Sequence, residues 1–535
     1  MTGAGEPAEE AVPPPDLVRA QVDPADGWCA PERAGVRVRT VPDGAGLRVE
    51  VAAERVSRVL LRWRRTVPEG SLVLGDAWER SYGDLAWRGL EPGRPLPWTV
   101  LVHDRLGGTT GLGVQVRGAA FASWTLDGTG VGLWLDLRCG GSAVRPGDRV
   151  LTAAVVRSVR GGPPFAVQRA LARLQCPDPE LPAAPLVGAN NWYYAYGRGF
   201  DAAAVVRDAR TVAELAGEHP VRPYAVVDDG WSPGGTADGL AASGGPWDAG
   251  RPAGFPAMAE LAAAVREEGA RPGIWFRPLL RRDEPGAGVL APRDGGRALD
   301  PSHPAVLDLV AEDAARLTGW GFELLKHDFS TYDVLGRWGP SMGASPAADG
   351  WSLHDGSLTT AEALTGFCAR LRGAAGGAVV LGCNTVGHLA AGLVHAQRTG
   401  DDTSGRDWDR TRRVGVNTLA FRLAQHGTFF ALDADCVPST PGTDWSLNRR
   451  FLDLVARSGT ALFVSVDPAT RSDAVDADLS AALRLALDGG EAGGIEPLDW
   501  LSTTTPRRWR SGGRELRHEW EGELGADPFE RPTPS

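Results

Sequence analysis

Lysine is almost missing from this chain: among the 56 basic residues of 535 there is one, Lys326, and every other is arginine. With no lysine cluster and a formal net charge of -11, the composition argues against a nucleic-acid partner. The N-terminal stretch MTGAGEPAEEAVPPP lacks both a positively charged start and an apolar run. Neither a signal peptide nor a membrane anchor is expected from it, so the chain reads as cytoplasmic, with residues 1–20 disordered. The six cysteines, at positions 29, 139, 176, 368, 383 and 436, form no C-x-x-C pair and no compact spacing. That argues against a zinc site and against a disulfide framework, and for reduced, buried thiols.

What is present is enough for a large core: 43% hydrophobic residues and 19 tryptophans, which suit two or three domains. From Gly46 onward Leu47, Val49 and Val51 alternate, and Asp127-Gly128 marks a hairpin turn, so residues 21–175 read as a β-sandwich. Prolines at 177, 179, 182 and 185 mark a linker over 176–185. Eight short apolar runs follow, at 186–194, 224–229, 273–278, 324–328, 379–385, 395–402, 428–436 and 461–467. Amphipathic segments separate them: Val205, Ala209 and Val212 after an N-capping Asp201, and Val306, Val310, Ala314 and Leu317 after Ser302. Eight strand and helix units over roughly 300 residues predict an α/β fold, a (β/α)8 TIM barrel spanning 186–488. A doubly wound sheet is disfavoured because no Gly-rich phosphate loop follows the first strand. Residues 489–535, with Trp500, Trp509 and Trp520, are expected to form a short β-rich C-terminal appendix.

Lys326 stands two residues before Asp328, and residues i and i+2 of a strand share a face. In a chain that has drifted this far toward arginine, a surviving lysine is either chance or a place where a planar guanidinium fails and a compact ammonium is needed. In a barrel the site is built at the C-terminal strand ends, and here almost every run closes on polar or aromatic residues. They are Trp192 and Tyr194, Asp228 and Asp229, Trp275 and Arg277, Lys326 and Asp328, Cys383 and Asn384, Arg398 with Asp401 and Asp402, Asp433 with Asp435, and Asp467. Carboxylates and tryptophans converging on one mouth suit a polyhydroxylated ring: aromatic faces stack on its C–H groups and acidic oxygens accept from its hydroxyls. The partner expected is therefore a carbohydrate.

Four runs carry a family resemblance: Val-Val-Asp228-Asp229-Gly-Trp231, Gly273-Ile-Trp275-Phe, Leu-Leu-Lys326-His-Asp328 and Arg398-Thr-Gly-Asp401-Asp402-Thr403. Together they resemble the α-galactosidases and relatives of glycoside hydrolase clan D, nearer family 36 than family 27 because a β-domain precedes the barrel. The resemblance implies a retaining α-glycosidase acting on terminal α-galactose, with Asp328 as nucleophile and no metal or organic cofactor. The acid/base lies in the run beginning at Arg398, where the family's spacing selects Asp402 over Asp401. Asp228 and Asp229 resemble the pair that grips the hydroxyls at the far end of galactose, and Cys383 and Asn384 correspond to a position that contacts the 2-substituent. Trp192, Trp231, Trp275, Lys326 and Arg398 complete the expected substrate contacts. Phe329 and Ser330 depart from the family, which usually has an asparagine two places after the nucleophile, and the Gly382-Cys383-Asn384-Thr385 motif is not the usual one.

Lys326 is expected to hold Asp328 ionised, and Asp401 to favour a proton on Asp402 by like-charge repulsion. Arg398 opposes that if it pairs with Asp402. Structural and substrate roles stay open for Asp433 and Asp435, and His327 is expected to face away from Asp328 as a satisfied packing residue. Gly75 to Asp84 reads either as a loop over the barrel mouth or as an interdomain contact, and residues 336–355 as a lid or subsite loop. The competing classes are a Schiff-base enzyme using Lys326 and a sugar-binding protein on a decayed barrel. Within the favoured class, N-acetylgalactosaminidases and raffinose-synthase-like transglycosylases share the chemistry.

Overall fold

The computed structural model describes residues 6–104, 108–197, 199–234, 243–522 and 525. The first third is antiparallel. One sheet runs in the order Val36–Asp43, Gly46–Ala53, Leu151–Arg160, Gly108–Val114, Thr99–Asp104, Leu72–Gly75, with Ala8–Glu9 added against Leu151–Arg160. The other runs Leu17–Gln21, Arg58–Trp63, Gly130–Asp136, Phe121–Asp127, Leu96–Pro97. The alternation read from sequence sets the faces, since Leu47, Val49 and Val51 are all buried. The helix Pro164–Gln175 lies on the first sheet through Val167 and Leu171, at a place where Gly111 gives it room: a Cβ there would come within 3.0 Å of Leu171.

Residues 6–20 are not the disordered segment expected. Ala8 and Glu9 pair with Arg160 and Val159, beyond the stretch of that strand that Gly46–Ala53 covers, and Leu17–Gln21 pairs along Arg58 to Arg62 as an edge strand, so the chain itself satisfies N–H and C=O groups left open there. The first five residues of that expectation lie outside the described residues, as do 523–524 and 526–535 of the C-terminal appendix. The described part of that appendix carries a three-stranded antiparallel sheet, Ile495–Pro497, Arg508–Ser511 and Arg514–Arg517, over buried Trp500, Trp509 and Trp520.

The rest is built on a curled, nine-stranded parallel sheet. Its strands in chain order are β1 (Val187–Asn190), β2 (Tyr224–Val227), β3 (Arg271–Phe276), β4 (Leu324–His327), β5 (Val379–Gly382), β6 (Ala396–Arg398), β7 (Ala431–Asp433), β8 (Val437–Ser439) and β9 (Leu462–Val466). They are arranged β7-β6-β5-β4-β3-β2-β1-β9-β8. Asp433 bridges Ala461 in parallel and the Ala461 amide donates to the Leu432 carbonyl (2.8 Å), so β7 also meets the start of β9. Eight runs were read from the sequence, and the ninth strand arises because the chain turns at Asp435, with φ of +79°, and resumes as β8. Helices flank the strands as the periodicity predicts. Asp201 caps Ala202–Ala216 by accepting from the Ala204 amide (2.8 Å). The helix with Val306, Val310, Ala314 and Leu317 inside begins at Pro304, capped by His303, while Ser302 bonds Asp300 instead. All six cysteines are free thiols, and among the described residues no helix is long and apolar enough to cross a membrane.

Candidate active site

Strand β4 is buried along its whole length, so the charge of Lys326 needs a partner inside the protein. Lys326 Nζ lies 2.7 Å from Asp228 Oδ2, with side-chain exposures of 9% and 4%. Burial works against the ammonium, but the Asp228 carboxylate outweighs it and raises the lysine pKa well above its usual value. This corrects one expectation: the direct partner of Lys326 is Asp228. Asp328 is held otherwise, by the Trp275 indole N–H on Oδ2 (3.0 Å) and the Phe329 amide on Oδ1 (2.7 Å). Phe329 has φ of +62°, which carries the chain sharply from β4 into the helix Ser330–Leu335.

Asp228 also accepts from Asn190 Nδ2 (2.5 Å), its amide donates to Asn191 Oδ1 (2.9 Å), and its Oδ1 takes the Asp229 amide (2.8 Å). Asp229 accepts from the Ser243 amide at 3.1 and 3.2 Å; burial, with Asp228 adding to it, pushes its pKa up to about 6. The two acids are therefore unlike, one committed to an ammonium and one poised to accept or share a proton.

At the end of β6, Arg398 answers what sequence left open by meeting three carboxylates at once, the most distant being Asp433 at 3.8 Å. It reaches Asp402 Oδ1 (3.1 Å) and, through Nη2, the fully buried Asp435 (2.6 Å). Asp401 is neutralised by Arg410 (2.6 Å) and Arg80 (3.3 Å), so the expected repulsion onto Asp402 is spent elsewhere. Burial alone would raise the Asp402 pKa, but Arg398, Arg80, Lys326 and Arg410 together hold it below the usual carboxylate range. Asp402 is nonetheless the most open acid of the group, its side chain 40% exposed against 13% for Asp401. Asp435 accepts from the Tyr193 hydroxyl, the Thr403 amide (2.7 Å) and the Cys436 amide (2.6 Å), and Asp433 accepts the Asp435 amide (2.8 Å). Asp435 is fully buried and Asp433 nearly so.

Of the remaining predicted contacts, Trp275 touches the site through Asp328. Trp192 is half-buried beside Tyr196, with ring centroids 5.5 Å apart. Trp231 does not line the site. It is fully buried, donates to the Trp275 carbonyl (2.7 Å) and packs against Trp247 and Trp320, so it supports β3 from behind. Cys383 is buried and its thiol pKa is pushed up by burial. Asn384, at φ of +47°, gives its side-chain N–H to Glu79 Oε2 (3.0 Å). His327 packs edge-on against Phe367 as expected, but its ring nitrogens find no partner among the described residues, and burial lowers its pKa to about 4. No group of three His, Cys, Asp or Glu side chains suited to a metal gathers among the described residues.

The run from Gly75 to Asp84 reaches the mouth. Glu79 accepts from Tyr82, Asn384 and the Gly339 amide, and Arg80 faces Asp401 and Asp402. Residues 343–351 are tied to the antiparallel unit. Trp78 donates to the Gly343 carbonyl (2.9 Å), buried Arg138 holds Asp349 (2.5 Å), Ser345 and the Ala347 carbonyl, and the Gly141 amide holds the Trp351 carbonyl (2.9 Å). Sequence reasoning missed Asn190, Tyr193 and Arg410. The Asn190-Asn191 pair at a strand end was the one visible signal, since buried amides there need partners.

No protein-family model matches the chain, and no curated protein matches it. Solved structures do. The α-galactosidase of Thermus thermophilus, in complex with p-nitrophenyl α-D-galactopyranoside, superposes with a TM-score of 0.58 at 20% identity, over 90% of this chain and 99% of that one. A family 36 α-galactosidase of Geobacillus stearothermophilus in complex with stachyose gives 0.57 at 15% identity, over 85% and 67%. The α-galactosidase of Lactobacillus brevis gives 0.57 at 16%, over 84% and 63%. The chain thus shares its fold with α-galactosidases of the kind its four sequence runs resemble.

Proposed function

We propose that the protein is a retaining α-glycosidase that hydrolyses terminal α-galactosyl residues of small oligosaccharides, on a (β/α)8 barrel preceded by a β-sandwich and followed by a β appendix. The observation that carries this reading is the contrast between two carboxyls. Asp328 is oriented by one indole and one amide donor, as a nucleophile must be, while Asp402 is open and ringed by cations at the end of β6. In the first step Asp328 attacks the anomeric carbon as the glycosidic bond breaks, and Asp402, which takes up a proton from solvent beforehand although its cations favour the ionised form, gives it to the departing oxygen. In the second, Asp402 takes a proton from water, whose oxygen displaces Asp328 and leaves the sugar with its starting configuration. Lys326 and Asp228 form one wall for the sugar hydroxyls, with Asp229 beside them. A Schiff-base role for Lys326 is disfavoured because such an amine must be neutral to attack, whereas Asp228 holds this one protonated.

The test is release of nitrophenol from aryl α- and β-glycosides by wild type and Asp328→Ala in parallel. Release from the α-galactoside by wild type alone, with azide restoring the variant as a β-glycosyl azide, is the expected result. Wild-type-like turnover by Asp328→Ala would remove Asp328 as nucleophile.

A further inference from the structure

Arg80 belongs by sequence to the antiparallel unit, yet its side chain ends among the carboxylates of the loop after β6. The backbone beside it is fastened to that loop. The Ser81 amide donates to the Thr399 carbonyl (2.9 Å), and the Ser81 carbonyl accepts from the Asp401 amide (2.7 Å), forming a parallel bridge to Gly400. The approach is close enough that a Cβ on Gly400 would meet Thr418 Oγ1 at 2.1 Å, where the Ser81 hydroxyl also bonds (2.9 Å). Arg80 Nε donates to the Tyr82 hydroxyl (3.1 Å), and its guanidinium lies 5.4 Å from the ring centroids of both Tyr82 and Trp338. Held this way, Nη2 faces Asp401 at 3.3 Å and Nη1 faces Asp402 at 3.4 Å.

The charged and titratable groups around Asp402 come from several elements: Arg398 of β6, Lys326 of β4, Arg410 of the helix Trp408–Thr411, Asp435 after β7, Asp401 alongside, Tyr193 and Tyr196 after β1, and Glu79 behind Arg80. The other three cations each have a close partner elsewhere. Arg398 is 2.6 Å from Asp435, Arg410 2.6 Å from Asp401, and Lys326 2.7 Å from Asp228. Only Arg80 makes two long contacts of nearly equal length, shared between the two acids.

We propose that Arg80 is a positioning residue for proton transfer: it orients Asp402 and shifts its charge between Asp402 and Asp401 as Asp402 loses and regains a proton. The inference rests on the acid/base role of Asp402 in the function proposed above. When Asp402 is ionised the fork serves both carboxylates. When Asp402 is protonated the guanidinium keeps Asp401, so the loop need not rearrange to conserve a buried cation. A segment about 320 residues upstream thereby adds to the hold of Arg398 on the proton affinity of the carboxyl that serves the leaving group.

The test is carboxyl titration by 13C NMR of the whole protein grown with labelled aspartate, the Asp402 signal being assigned by its loss in Asp402→Asn. Arg80→Gln is expected to raise the Asp402 midpoint by about one pH unit, since an opposite charge at this range depresses a carboxyl by about 1–3 units. Arg80→Lys should return it toward wild type. Trp338→Leu, at a half-buried position, loosens the same guanidinium and should move the midpoint the same way by less, which covers a failure of Arg80→Gln to fold. The alkaline limb of kcat/KM on an α-galactoside with a poor leaving group should follow the titration. An unmoved midpoint in the folded variants overturns the inference. The titration needs no turnover, so silence of wild type on every glycoside would count against the proposed function alone.

Discussion

Replacing the lone lysine by methionine isolates a deeply buried ion pair of the site. Lys326 and Asp228 are 9% and 4% exposed and 2.7 Å apart, and removing one partner of such a pair costs about 3–5 kcal/mol because the other is left charged and unpaired. Asp228 keeps the Asn190 amide on one oxygen and its neighbour's backbone N–H on the other, so the expected loss is at the low end, ~3 kcal/mol. Asp228→Asn orphans the ammonium and should cost a similar ~3 kcal/mol, whereas the double change removes both charges and should cost about the same as either single, a coupling of ~3 kcal/mol. The assay is urea unfolding followed by tryptophan fluorescence. The sign with pH is also fixed. The lysine pKa is raised on folding, so its contribution is complete below the unfolded value of about 10.4 and fades only as pH rises beyond it. The gap between wild type and Lys326→Met should therefore be flat through neutral pH. Additive single changes, or a loss under about 1 kcal/mol, would refute the reasoning. Lys326→Arg keeps the charge but must fit a planar fork among Asp228, Cys383 and Arg398, and should not restore activity. Full rescue would mean the single lysine is an accident of composition.

Trp231→Phe removes an indole donor to the Trp275 carbonyl behind the site; stability should fall by ~2 kcal/mol while KM for an aryl galactoside stays within about twofold. A large KM rise with stability intact would return Trp231 to the sugar pocket. Asp208 sits half-buried under the Tyr194 hydroxyl (2.6 Å), and desolvation of its carboxyl pushes its pKa up to about 7. A carboxyl raised on folding makes the native state less stable as pH climbs from the unfolded value near 3.9 to about 7. Asp208→Asn should abolish that decline and be the more stable protein at pH 8; parallel stability curves for the two would sink the argument.

Eight of the nine parallel strands, in their order, and many of the residues at their ends can be read from the chain alone. Period-2 and period-3.6 patterns are local consequences of burying one face, so Leu47, Val49 and Val51, or Val205, Ala209 and Val212, declare their elements without knowing their neighbours. The Lys326 and Asp328 run was legible for the same reason, because strand alternation puts both on one face. Partner choice was decided only in three dimensions. That Lys326 meets Asp228, that Arg398 reaches Asp435 as well as the nearby Asp402, that Trp231 stands behind β3, and that Arg80 crosses from the antiparallel unit all depend on pairings between about 40 and 320 residues apart or on a single backbone turn at Asp435. A charge carries no mark in sequence of which opposite charge it will reach. Burial then forces the choice, since a buried charge without a partner costs several kcal/mol.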